Sequence, residues 1–205
     1  MTDFRSIASD TLHKVEAYMS SEDWKPWKTS KGMEIVYKKS LDFQGNVYKT
    51  MYELNASPER VLDLIGDLEK HQKWEKALRG GMECVEQVDE NLKVVRSVSA
   101  PLLGGLVSAR DFIDLLGYKR YMEKNLILLY WRGVEHPKYK DNVKGCVRGT
   151  TYPSAIYLYG VEGNPEKTRG VNIFQVEGHL SPKSLTEKFL PNLQLDWYGD
   201  LQKVI

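Results

Sequence analysis

A chain of 205 residues with 41% hydrophobic side chains has the length and apolar content of one packed unit, and residues 1–205 read as a single domain. Its formal net charge of +1 argues against a general nucleic-acid binder, which carries a clear basic excess. Two cysteines, Cys84 and Cys146, and four scattered histidines (His13, His71, His136, His179) show no metal-ligand spacing, so neither a metal nor a cofactor is expected and both thiols read as buried cysteines. The polar start MTDFRSIASD lacks the apolar run of a secretion signal. The longest unbroken apolar stretch, Leu126–Trp131, falls far short of the ~20 residues that span a bilayer. A cytoplasmic chain is the expectation.

Along the chain, residues 3–20 read as a helix: Phe4, Ile7, Ala8, Leu12, Val15 and Met19 recur at helical spacing, with Thr2 or Asp3 as cap. Trp24–Trp27 leads into strand-like text. Met33–Lys39 alternates, 42–46 is a turn, and Val47–Asn55 is a long strand with Tyr48, Thr50, Tyr52 and Leu54 on one face and Val47 and Met51 on the other. Ser57-Pro58-Glu59 starts a helix, with Ser as N-cap, Pro in the first turn and an acid near the positive end. A second short helix carries Trp74 and Leu78 and ends at Gly80-Gly81. Strand composition returns over Met82–Val88, Leu92–Ala100, Ala109–Tyr121, Leu126–Gly133, Val143–Tyr159 (broken near Pro153) and Gly170–Gly178. Pro182–Val204 reads as a long helix with the apolar stripe Leu190, Leu193, Trp197, Leu201, and Pro191 predicts a kinked or separate first turn. Short connections between strands imply an antiparallel sheet, and the terminal helix is the natural cover for its inner face.

Five stretches in register resemble the START domain family. Ser108-Ala109-Arg110-Asp111-Phe112-Ile113 resembles its Ser-Pro-Arg-Asp-Phe-Val motif, and Phe43-Gln44-Gly45-Asn46-Val47-Tyr48 its second hairpin. Lys73-Trp74-Glu75 resembles its Trp helix motif. Val147-Arg148-Gly149 with Pro153 resembles its Val-Arg-Gly strand, and residues 195–203 resemble its closing helix. The similarity spans nearly the whole chain and is greatest to the small, stand-alone sterol carriers. It implies an α+β helix-grip fold: a curved antiparallel sheet of about nine strands closed by a long C-terminal helix around a hydrophobic tunnel. It further implies a non-enzymatic monomer that carries one hydrophobic lipid and touches membrane surfaces transiently, with a sterol as the first candidate. A carotenoid, bile acid or phospholipid is the alternative within the class.

Alternation places Arg110, Phe112, Leu116 and Tyr118 on one strand face and Asp111 on the other, with ion pairs as the expected structural role of the two charges. Ile127, Leu129 and Trp131 share a face, as do Asn172, Phe174 and Val176. The resemblance turns these sets toward the tunnel, roofed by Leu190, Leu193 and Trp197. It also makes Leu102, Leu103, Gly104, Gly105 and Leu106 the lid loop over the tunnel mouth, with Lys183, Lys188 and Lys203 able to meet anionic headgroups. Several sterol-binding members of the family hold an acid and a base at positions that fall here on Ser97 and Leu116. The pair is absent, so a sterol hydroxyl would turn to Ser97, Arg96, Thr151 or an ordered water. The arginine that grips phosphate in phosphatidylcholine carriers falls near His71, a weaker clamp. A nucleophile elbow and a phosphate-binding glycine loop are both missing from the sequence, so catalysis is the lesser reading, with a lipid-responsive adaptor as a third.

Overall fold

The computed structural model describes residues 2–78, 80–101, 105, 107–179 and 183–205, the side chains of residues 183–186 and 188 excepted. In chain order the elements are α1 (Phe4–Met19), β1 (Lys25–Ser30), β2 (Met33–Lys39), β3 (Asn46–Leu54), α2 (Pro58–Gly66), α3 (Leu68–Trp74), β4 (Met82–Asp89), β5 (Leu92–Val98), β6 (Arg110–Tyr121) and β7 (Leu126–Gly133). There follow β8 (Val147–Arg148), β9 (Thr150–Thr151), β10 (Ser154–Val161), β11 (Asn164–Phe174), β12 (Val176–Glu177) and α4 (Lys183–Leu201).

The helix starts are those the local chemistry dictates. The Asp3 side chain accepts from the Ser6 amide to cap α1. The Ser57 hydroxyl accepts from the Arg60 amide to cap α2, and Asp67 does the same for α3. Nine strands form one antiparallel sheet in the order β1-β2-β3-β11-β10-β7-β6-β5-β4, and β8 pairs in parallel with β6. β9 and β12 form a separate two-stranded ladder.

Two apolar layers sit on opposite faces of this sheet. On the outer face α1 lays Phe4, Ala8, Leu12 and Val15 against Leu126, Leu128 and Tyr130 of β7 and Ile113 and Leu115 of β6. The Lys14 ammonium 2.7 Å from Asp42, and the Tyr18 hydroxyl donating to the same carboxylate at 2.9 Å, tie α1 to the β2–β3 turn. On the inner face, Ile127 and Leu129 of β7 join Tyr48, Tyr52, Leu54, α2 and the α4 residues Leu190, Leu195, Tyr198 and Leu201.

The Arg110–Phe112 and Val147–Gly149 motifs prove to be one physical unit. β8 runs beside β6, and Arg148 sets its Nε and Nη2 on the two Asp111 oxygens at 3.1 and 2.9 Å. The Val143 amide adds a third bond to Asp111, whose side chain has no exposure. Gly149 then passes over the Phe112 ring so closely that a Cβ there would lie 2.1 Å from it.

Four local expectations are corrected. α4 runs through Pro191 without a break, the buried Pro191 ring and its apolar neighbours outweighing the lost amide bond. β11 begins at Asn164 rather than Gly170; its polar first half hides the alternation but pairs with β10 beyond a turn at Gly163, whose φ is +75°. The long 143–159 stretch divides into β8, β9 and β10. Cys84 is exposed on β4, which is solvated along much of its length.

Candidate functional site: an apolar chamber between sheet and closing helix

The inner layer is not filled. A cavity of about 300 Å³ lies between the sheet and α4, within the size range of small-molecule sites. β5 contributes Val95 and Ser97, and β6 contributes Arg110, Phe112, Asp114 and Leu116. Leu129 and Trp131 come from β7, Thr151 from β9, Ile156 from β10, and Asn172 and Phe174 from β11. α4 supplies Phe189, Leu190, Leu193, Gln194 and Trp197 as roof. Ile65 of α2, His71 of α3, Glu75 and Leu78 close one side. The alternation of each strand explains the selection, because residues two apart share a face.

All twelve wall residues singled out from the sequence (Ser97, Arg110, Phe112, Leu116, Leu129, Trp131, Thr151, Asn172, Phe174, Leu190, Leu193 and Trp197) border this cavity. Arg96 does not: its guanidinium turns to the other face, 2.7 Å from Glu83 and over the Tyr139 ring. Of the loop residues, only Gly105 is described, with φ +99°; Leu102, Leu103, Gly104 and Leu106 lie outside the described residues. The side chains of Lys183 and Lys188 also lie outside them, and Lys203 is paired with Asp200 at 2.7 Å.

The polar groups on the wall fall into three kinds. Some are spent on the fold. Tyr52 donates to Asn172 at 2.7 Å and Asn172 to Gln194 at 3.2 Å, a buried chain that straps β3 and β11 to α4. Trp197 packs edge-on against Tyr52, with centroids 5.8 Å apart. Arg110 donates to the carbonyls of Gly178, at 2.8 Å, and Ser108, which anchors the approach to α4 on β6. Burial in that position lowers its pKa below the ordinary guanidinium value. A second kind is half-spent. His71 Nε2 lies 2.6 Å from a Glu75 oxygen and the ring stacks on Trp74, whereas the buried His71 Nδ1 has no protein partner.

Asp114 is the third kind. Its Oδ1 is buried with no hydrogen-bond partner, and burial pushes the carboxyl up to about 7, against a hydrogen bond from Thr151 that works in the opposite direction. Gly133 makes room for this corner: a Cβ there would lie 2.9 Å from the Thr151 carbonyl and 3.8 Å from Asp114 Oδ1. Sequence reasoning passed over Asp114, although it falls in the same alternation as Arg110, Phe112 and Leu116. The signal was a lone acid between Phe112 and Leu116 on one strand face. Among the described residues no group of three or more His, Cys, Asp and Glu is placed to hold a metal ion, and no helix is long and apolar enough to cross a membrane.

A curved antiparallel sheet gripping one terminal helix around an apolar chamber defines the helix-grip class. The START domain family model matches residues 7–198, and the chain belongs to that family. It is 31% identical over 193 residues to human StAR-related lipid transfer protein 6, covering 93% of this chain and 86% of that protein. It is 23% identical to the mitochondrial steroidogenic acute regulatory protein of Oncorhynchus mykiss, over 95% of this chain and 67% of that one. The structure of human StAR-related lipid transfer protein 5 superposes with a TM-score of 0.90 at 27% identity, covering 98% and 95% of the two chains.

Proposed function

We propose that residues 1–205 act as one lipid-binding unit, a cytoplasmic, monomeric, non-enzymatic carrier that encloses a single hydrophobic lipid, a sterol foremost, and moves it between membranes. The observation that carries this reading is the chamber itself. Phe112, Leu116, Leu129, Trp131, Leu193 and Trp197 give it an apolar wall, and several of its polar groups are already bonded within the protein: Asn172 to Gln194, Arg110 to the Gly178 carbonyl and His71 to Glu75. A hydrophobic lipid with little polar surface matches that lining. The names of the relatives, lipid transfer proteins and a steroidogenic regulator, support the same class of ligand.

Energetics favour exchange over irreversible capture. At ~0.8 kcal/mol per buried CH₂, a lipid of about twenty carbons gains on the order of 15 kcal/mol from enclosure, comparable to what a bilayer offers. The two hosts are then nearly matched, and the passage through water sets the rate. Transient contact with a membrane surface shortens that passage.

The test is transfer of a fluorescent sterol from donor to acceptor vesicles, with native protein and with Trp197→Arg. The native protein accelerates transfer well above the spontaneous rate. The variant, with a cation in the roof, folds but no longer holds sterol. A folded Trp197→Arg protein that retains sterol removes α4 from the binding wall. Failure of native protein to move sterol, with another lipid carried instead, reassigns the ligand within the class.

A further inference from the structure

Two acids stand three residues apart on β6 and meet opposite fates. Asp111, on the outer face, receives a guanidinium and an amide. Asp114, on the chamber face, receives no cation, and its Oδ1 is left unpaired in the wall. Buried polar atoms are seldom left so, and an exception in a ligand chamber has a natural explanation: the partner arrives with the ligand.

The surroundings narrow what that partner is. The strand neighbours of Asp114 are Val95 on β5 and Gly133 on β7, neither of which carries charge. Arg110 shares its face, but four residues away along the strand, about 13 Å by strand rise, and its guanidinium is engaged by the Gly178 and Ser108 carbonyls. On the helical side of the chamber the titratable groups are His71 and Glu75, bonded to each other. From α4, Gln194 is already held by Asn172. Thus no fixed cation neutralises Asp114 among the described residues.

We propose that Asp114 is the specificity-determining residue of the chamber: its unpaired carboxyl oxygen takes a hydroxyl at the polar end of the lipid and turns away lipids that end in a carboxylate. This inference rests on the carrier reading. A hydroxyl is chemically suited to the site because it donates to a charged carboxylate and accepts from a neutral carboxylic acid, so it satisfies Asp114 in either state. A lipid carboxylate instead brings a like charge into an apolar wall, where one of the two acids must stay protonated. A lipid with no polar end leaves the oxygen as unpaired as it is in the free protein, so it forgoes the hydrogen bond that an alcohol gains. The positions that resemble the family's acid–base pair are Ser97 and Leu116, and Asp114 lies between them in the chamber wall, one side-chain layer from each.

The experiment is competition, read by native mass spectrometry, among three lipids of one skeleton: the alcohol, the hydrocarbon and the carboxylate. It is run with a sterol set and with a sixteen-carbon chain set, at pH 6 and pH 8. Native protein takes the alcohol over the hydrocarbon by roughly tenfold, and discriminates against the carboxylate more strongly at pH 8 than at pH 6. In Asp114→Leu the alcohol preference falls to near one, while the hydrocarbon is held at least as tightly, which also reports an intact chamber. Asp114→Asn keeps the alcohol preference, and its rejection of carboxylate changes less between pH 6 and pH 8 than that of the native protein, leaving only the titration of the lipid itself. Undiminished alcohol preference in Asp114→Leu overturns the proposal and leaves the carrier reading standing, as does equal uptake of alcohol and hydrocarbon by native protein. Uptake of no lipid from either set overturns the carrier reading itself, and the proposal with it.

Discussion

The two faces of β6 and β7 use the same backbone to opposite ends. On the outer face, Ile113, Leu115, Leu126, Leu128 and Tyr130 meet α1 and are packed until little accessible surface remains. On the inner face, Phe112, Leu116, Leu129 and Trp131 meet a chamber. Their acids divide the same way: Asp111 is fully served and Asp114 is not. The outer face holds the sheet's shape, so the inner face can leave surface and hydrogen-bonding capacity unused for a guest. A cavity of this kind lowers stability, since interiors are otherwise close-packed, and it persists because the opposite face and α4 hold its walls apart.

That contrast can be broken at adjacent residues. Leu128→Ala opens a void beneath α1 and is expected to lower stability by about 3–4 kcal/mol, read by urea denaturation. Leu129→Ala, next in sequence but on the chamber wall, costs nearer 1–2 kcal/mol, because its neighbour on one side is already a cavity. Equal losses at the two positions contradict the division of labour. Asp111→Asn strips Arg148 of its carboxylate and should cost about 3 kcal/mol, tempered by the partial exposure of Arg148.

Asp114 sharpens the comparison through pH. Its folded pKa lies above the ordinary carboxylate value, at about 7, so the native state binds the extra proton between roughly pH 4 and pH 7. Stability from this group is therefore greatest at the acid end of that window and falls as pH rises to 7. Subtracting the Asp114→Asn stability curve from that of the native protein isolates the effect, expected on the order of 2–4 kcal/mol across the window. A flat difference curve places the carboxyl in contact with water or a cation. The smallest effect lies at the solvent-exposed end of β6: Arg120→Ala breaks an exposed pair with Glu59 at 2.9 Å and should change stability by less than about 1 kcal/mol.

Much of this was legible in the sequence because burial on one face leaves a period. β7 reads as two apolar sets, and α4 carries its stripe at Leu190, Leu193, Trp197 and Leu201. The N-cap at Ser57 is a local signal and was read as such. What was not legible lacks a local cause. The first half of β11 is strand only because β10 pairs with it, and its charged side chains conceal the fact. The service of Asp111 by Arg148, thirty-seven residues away, needs the tertiary path. Asp114 was legible as a residue but not as a site: its meaning depends on which neighbours fail to reach it, and absence of a partner leaves no mark in a sequence.

Whether the inner face encloses one lipid is read by native mass spectrometry of the purified protein, followed by extraction and identification of what it carries. A one-to-one complex with a hydrophobic lipid is expected, lost in Trp197→Arg and displaced by added sterol. A folded native protein that carries no lipid and takes none up from vesicles would contradict it.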